Sequence, residues 1–535
     1  MTLQRLLLTA SAVALLPAAA AADYRLHILH VNDVHSRIEP INASDATCPP
    51  EEDAAGECFG GAARLMTAIG DLRDELSEAG ENVIVLDAGD QFQGSLFFTT
   101  YSGQAEVEMM NAIGFDAMVF GNHEFNLGPL PLAAFVEAAE FPVVFGNVDA
   151  SQDERLGALN DDPLILEVGG ERIAIVGAVT PDTAEISQPG PTVAFDDPIA
   201  YLTETVEVLR ADGVTKIIAL THVGVLDDIR IAEAVPGLDA VVGGHSHTLF
   251  SNGIEDAPYA YPHMVEGPDG RQVPVVQAGA YSKYLGHLTL TFDAEGNVTQ
   301  AEGDTMLIDA SVEPDEGLAA RIDDLRAPIE EAMNQVVASV GADVDGSRES
   351  CRSGECEMGN LVAEAMLDRV ADQGIAIAIQ NGGGLRASIA AGETTVGDVV
   401  AVLPFQNTLA TFELSGANLV AALENGVGAL DEGAGRFPQV AGLQFTFDPE
   451  AEPGSRIVEV LVEEDGEWLA IDAGATYGIV SNNFMRNGGD GYAMFRDEGI
   501  NAYDFGPNLE VVLADYLMEH PDYEPFTDGR IARAE

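Results

Sequence analysis

Five apolar runs in the first half of this 535-residue chain each end, at the carboxyl side, in a residue type that binds metal, and that recurrence constrains the fold more than any other feature. Arg25 to Val31 leads to Asp33-Val-His35, Asn82 to Leu86 to Gly89-Asp90, and Ala117 to Phe120 to Asn122-His123. Lys216 to Leu220 leads to His222, and Ala240 to Val242 to His245-Ser-His247. Short apolar, β-branched runs of this kind read as buried strands, as do Val143 to Phe145 and Ile173 to Val176. Between most of them, Gly61 to Ser77, Ala105 to Ile113 and Ile199 to Arg210 place apolar residues at three- and four-residue spacing, the helical period. The alternation predicts a layered α/β domain, and open α/β sheets hold ligands outside the carboxyl ends of their strands. A single Asp-x-His would read as a satisfied core histidine. Five such pieces in order supply the oxygen and imidazole donors for two adjacent divalent ions, with a carboxylate to bridge them.

A β-richer stretch follows from Pro274 to Phe292, and then a polar, acidic helical segment that serves as interdomain connector over 314–340. The metal-bearing domain is expected over 23–313 and a second α/β domain over 341–535. Residues 1–22 combine a charged start, the apolar run Leu6 to Leu16 and the small residues Ala20-Ala21-Ala22, the pattern of a cleaved signal peptide. A periplasmic or secreted protein is therefore expected. Its four cysteines suit such a compartment; of three possible connectivities the local one, Cys48 with Cys58 and Cys351 with Cys356, is expected over a zinc site. A net charge of −65 with two lysines, Lys216 and Lys283, excludes a nucleic-acid footprint and argues against an anionic membrane surface. An anionic substrate must then be captured by a local positive site. Charge of this size is best tolerated where salt screens it.

The runs Leu29-His-Val-Asn-Asp-Val-His-Ser-Arg37, Leu86-Asp-Ala-Gly-Asp-Gln-Phe-Gln-Gly94 and Phe120-Gly-Asn-His-Glu-Phe125 resemble the 5′-nucleotidase family of the calcineurin-type metallophosphoesterases, across essentially the whole mature chain. The resemblance implies a four-layer metallophosphoesterase sandwich, a connecting helix and a second α/β nucleotide-binding domain. It implies two divalent metals, zinc, manganese or cobalt, one held by Asp33, His35, Asp90 and His247 and the other by Asp90, Asn122, His222 and His245. It assigns His123 to the transition state or leaving group. Cys351-Arg352, Asn381-Gly-Gly-Gly-Leu-Arg386, Leu403-Pro-Phe405 and Asn483 to Tyr492 resemble the family's nucleotide-binding motifs. By that likeness Phe405 and Phe484 clamp a base, Asp490 takes the ribose, Asn381 takes base or ribose, and Arg352 with Arg386 takes phosphate.

The chain departs from the family at Asn126, where an Asp usually pairs with the histidine equivalent to His123. The expected activity is release of phosphate from 5′-nucleotides. The alternatives are a 2′,3′-cyclic-nucleotide phosphodiesterase/3′-nucleotidase, a UDP-sugar hydrolase, and a nucleotide-binding protein without catalysis. Sequence leaves the oligomeric state open.

Overall fold

The computed structural model describes residues 24–534 apart from 43, 44, 46, 161, 162, 406, 431, 432, 465 and 505. The leader expected over 1–22 lies outside the described residues. No helix among the described residues is long and apolar enough to cross a membrane.

Two six-stranded sheets build the first half. In one, Tyr24–Val31, Asn82–Asp87, Ala117–Val119 and Val143–Val144 run parallel, and the antiparallel strands Tyr284–Phe292 and Val298–Leu307 extend it beyond Tyr24–Val31. In the other, Glu171–Val179, Lys216–His222, Ala240–Val242 and Gln272–Val276 run parallel between antiparallel edges Leu164–Val168 and His263–Glu266. Successive side chains on a strand point to opposite faces, so the first strand divides its apolar residues between two cores. Leu26 and Ile28 pack with Ile175, Ile217 and Val241 of the facing sheet. Leu29 and Val31 pack outward, in the cluster that holds Leu65 and Ile69 of helix Ala62–Glu78 and Met109 of helix Gln104–Ile113. Helices Pro198–Ala211 and Val225–Ala234 cover the second sheet through Leu202, Val206 and Ile231. The result is the four-layer sandwich, and its parallel strands all deliver their carboxyl ends to one edge.

Helix Glu316–Met333 starts at Asp315, whose carboxylate accepts the Leu318 N–H at 2.8 Å. Leu318, Ile322, Leu325 and Ile329 lie on one face and are buried in the outer core of the first half. The chain then forms the strand Val336–Val340, which pairs with Gly392–Thr395 and Asp522–Tyr523. A five-stranded sheet, ordered Pro438–Ala441, Ile377–Asn381, Thr476–Asn482, Leu409–Ser415, Ile500–Tyr503, centres the second half, with apolar clusters on both faces. Cys48 bonds to Cys58 and Cys351 to Cys356, with Cα atoms 6.0 and 5.1 Å apart, the local pairing read from the sequence.

Candidate active site

Asp33, His35, Asp90, Asn122, His222, His245 and His247 converge at the carboxyl edge of the two sheets. Three sets of ligand atoms lie within 4.8 Å of one another: Asp33 with His35 and His247, His35 with Asp90 and His123, and Asp90 with His222 and His245. Asp33, His35, Asp90, His245 and His247 all have left-handed backbones, with φ between 50° and 76°. Strain of that sort persists where surrounding structure enforces it, and it collects at functional sites. Gly121 is required here because a Cβ would run into Asp90 Oδ1.

The cluster fits divalent cations by the chemistry of its donors. His222 Nδ1 donates to the Ala88 carbonyl at 2.6 Å and His35 Nδ1 to the Phe92 carbonyl at 3.2 Å, so both rings aim Nε2 inward, where a cation would take the place of any proton on it. His35 Nε2 lies 3.0 Å from His247 Nε2 and 3.8 Å from Asp90 Oδ2, and His222 Nε2 lies 2.9 Å from Asp90 Oδ2. Asp90 Oδ2, Asn122 Oδ1 and His222 Nε2 are buried without a hydrogen bond among the described residues. Buried carboxylate, amide and imidazole groups gathered this closely are the donor set a cation takes up, displacing a proton where the imidazole carries one. Burial opposes the charge on Asp90, but the His222 and His123 imidazoles outweigh it and hold the carboxyl well below its usual range. Burial likewise disfavours a charged His222, yet the Asp90 and Asp33 carboxylates push it up to about 10. The carboxylates are thus ionised whenever a cation arrives.

Arg352, Asn381, Arg386, Phe405, Phe484 and Asp490 share one cavity of about 440 Å³ in the second half. Asn381 ends a central strand and donates to Asp490 Oδ2 at 2.7 Å, while Asn482 Nδ2 fixes Asn381 Oδ1 at 2.9 Å. The Arg386 guanidinium lies 5.3 Å from the Phe405 ring centre. The Phe484 ring rests on Gly489, where a Cβ would collide with it, and remains 43% exposed. A second cavity, about 380 Å³, lies before the metal cluster, bounded by His35, His123, His245 and His247. A third, about 530 Å³, shares Arg37, His247, Tyr281, Asn483 and Asn487 with that space and Asp45, Phe405, Asn407 and Phe484 with the aromatic cavity. Through these shared residues the three cavities adjoin one another as a channel-like series from the aromatic rings to the metal cluster.

The family described as calcineurin-like phosphoesterase matches residues 26–249, and the 5′-nucleotidase C-terminal domain matches 335–497. The Homo sapiens 5′-nucleotidase is 37% identical over 548 residues, covering 98% of this chain and 93% of that one. The chain belongs to the 5′-nucleotidase family. Among solved structures, a 5′-nucleotidase precursor from Thermus thermophilus is 41% identical, with a TM-score of 0.62 over 95% of this chain and 99% of that one. The NAD nucleotidase of Haemophilus influenzae superposes with a TM-score of 0.77 at 26% identity, over 96% of this chain and all of the other. Calcineurin-like phosphoesterases use divalent metals, and 5′-nucleotidases act on nucleotides.

Several further residues shape this 5′-nucleotidase-family site, and those among them that lie inside the motif runs, such as Asn32, Arg37 and Glu124, have no role assigned by those runs. Asn32 donates to Asp33 Oδ2 at 2.6 Å and accepts the Ala278 N–H at 2.8 Å, fixing the first carboxylate. The buried Glu124 carboxylate accepts backbone N–H groups of Gly121 (2.6 Å), Gln91 (2.8 Å), Asp90 (3.0 Å) and Phe92 (3.1 Å), binding the Asp90 loop to the Asn122 loop. Its own pKa is pushed up to about 7 by burial and the nearby Asp90 charge. Arg37 lies with its guanidinium carbon 4.9 Å from the Tyr281 ring centre, and both line the channel. Thr408, Asn483, Asn487 and Asp504 of the second half face the metal cluster. His123 lies beside Asn126, whose Nδ2 is 2.8 Å from the ring Nδ1. Burial lowers the His123 pKa, and the Asp90 carboxylate only partly restores it.

Proposed function

We propose that this chain is an exported hydrolase that releases phosphate from nucleoside 5′-phosphates, with Asp33, His35, Asp90 and His247 holding one divalent ion and Asp90, Asn122, His222 and His245 a second. When bound, such ions, zinc, manganese or cobalt, supply Lewis acidity to the phosphoryl oxygens and the attacking water. The observation that carries the reading is the series of adjoining cavities between the aromatic rings and the metal cluster, which supports one nucleotide engaging both. Phe405 and Phe484 stack on the base, and Asp490, steadied by Asn381, accepts hydrogen bonds from the ribose hydroxyls. Arg352 and Arg386 orient the phosphate from the second half. Arg37 adds a cation from the first half, and its buried Nε has no hydrogen-bond partner among the described residues. His123 stabilises charge on, or gives a proton to, the departing ribose oxygen. Export is supported by the leader pattern and by two disulfides.

The test is phosphate release from nucleoside mono-, di- and triphosphates, 2′,3′-cyclic nucleotides and UDP-glucose, with zinc, manganese or cobalt added. Turnover is expected on 5′-nucleotides. Turnover confined to cyclic nucleotides or UDP-glucose would replace this reading, and none with any metal would leave a binding protein.

A further inference from the structure

Gln93 lies three residues beyond Asp90 in a left-handed backbone, φ 64°, which a glycine adopts freely and a glutamine only at a cost. A side chain kept at such a position calls for a functional explanation. Gln93 makes contacts in two directions. Its Nε2 donates at 2.8 Å to the carbonyl of Gly506, a residue 413 positions away in the second half. Its Oε1 lies 3.1 Å from His123 Nδ1 and also accepts from Asn126 Nδ2. It lines both the space before the metal cluster and the cleft of about 970 Å³ between the two halves.

The carbonyl of Gly506 fixes the Gln93 amide, and the Gln93 amide in turn fixes Asn126. A backbone carbonyl only accepts, so Gln93 must present its NH₂ to Gly506 and therefore its oxygen to His123. Gln93 Oε1, being an acceptor, turns the Asn126 NH₂ toward itself and His123, and Asn126 Oδ1 then accepts the Ser187 hydroxyl at 2.8 Å. Asn126 in that orientation cannot accept a hydrogen from the ring. The acceptor that an Asp at 126 would offer is instead Gln93 Oε1, 3.1 Å from His123 Nδ1, and with the Asn126 NH₂ at 2.8 Å it holds that edge of the ring in place. Whatever the ring does toward substrate it then does through Nε2. If the second half moved away, Gln93 would lose Gly506, its amide could turn over, and two donors would face Nδ1.

We propose that Gln93 is a positioning residue that couples the seating of the second domain to the working orientation of His123. The coupling means that the leaving-group histidine is set when the nucleotide-bearing half is in place. The inference rests on the reading of His123 as the group that acts on the departing oxygen.

The experiment uses the full-length, metal-loaded protein and the variants Gln93→Gly, Gln93→Met and His123→Ala, with kcat and KM measured on a nucleoside 5′-monophosphate and on 4-nitrophenyl phosphate. Gly suits the left-handed backbone, so Gln93→Gly should melt no earlier than the parent. For both Gln93 variants kcat on the nucleotide should fall about 10- to 100-fold, part of the effect of a proton-transferring group, with KM within about threefold. On 4-nitrophenyl phosphate, whose leaving group departs without a proton, kcat should stay within about threefold. Adding Gln93→Gly to His123→Ala should cost nothing further, because the relay acts through the ring. Equal losses on both substrates, an effect on KM alone, no loss, or additivity with His123→Ala would each overturn the proposal. If His123→Ala itself shows no difference between substrates, the reading of His123 fails. A substrate split in His123→Ala that the Gln93 variants lack overturns the coupling and leaves that reading standing.

Discussion

Glu124→Gln tests how the metal ligands are held in place. The carboxylate accepts four backbone N–H groups, two on each oxygen: Gln91 and Phe92 on Oε1, Asp90 and Gly121 on Oε2. An amide of the same shape keeps one oxygen and must turn its NH₂ toward one of these pairs, whichever way it sits. Two buried donors then lose their acceptor at roughly 1–3 kcal/mol each, giving about 2–6 kcal/mol in the folded protein. The loss falls on the loops that carry Asp90 and Asn122. Metal affinity should therefore drop about 10- to 100-fold, as it does when a group supporting a ligand is removed. Thermal melting of the metal-free variant and calorimetric titration with zinc read the two effects separately. A variant that melts with the parent and binds metal equally well would show that Glu124 does not hold the site together.

Phe484→Ala should weaken nucleotide binding by about 1–3 kcal/mol, the worth of one stacked base, and leave hydrolysis of 4-nitrophenyl phosphate nearly unchanged; equal damage to both would make Phe484 a packing residue. Asn126→Asp puts a carboxylate beside the His123 ring, where the amide nitrogen now lies 2.8 Å from Nδ1. Burial depresses the His123 pKa, so a nearby anion should raise it by about 1–3 units and carry the alkaline limb of kcat/KM upward by the same interval. With metal saturating throughout, a limb that stays put refutes the pairing. Melting temperature should rise between low and high sodium chloride as salt screens the repulsion among 89 acidic side chains, and a flat or falling midpoint would count against that account.

The first domain is legible because its strands are short apolar runs punctuated by the residues that follow them. Lys216 to Leu220 reads as a strand, and the ladder continues two residues to His222, a polar end that apolar patterning does not register. The connector expected over 314–340 holds helix Glu316–Met333 and then a strand, Val336–Val340, too short to be told from a helical end by periodicity. The five-stranded sheet of the second half escapes a sequence reading because its order interleaves parallel and antiparallel neighbours far apart in sequence. In the candidate site, sequence points to the side chains that carry unusual chemistry, and the structure brings them together at one edge. Asn32 and Glu124 stand inside the motif runs and Tyr281 outside them, but the role of each lies in what it touches, which the runs do not show. Gln93 lies in the run Leu86 to Gly94, but its contact is not legible there for the same reason, since its partner Gly506 is a backbone carbonyl in the other half.

The central claim, that two divalent ions share Asp90 at the site of phosphate release, is tested most directly by metal titration of chelator-stripped protein. Bound metal and phosphate release from a nucleoside 5′-monophosphate would be followed together in the parent and in Asp90→Ala. The account predicts a silent stripped enzyme, activity that returns as about two ions bind each chain, and an Asp90→Ala form that binds fewer and stays inactive. Full turnover in the stripped parent, or two bound ions with normal turnover in Asp90→Ala, would contradict it.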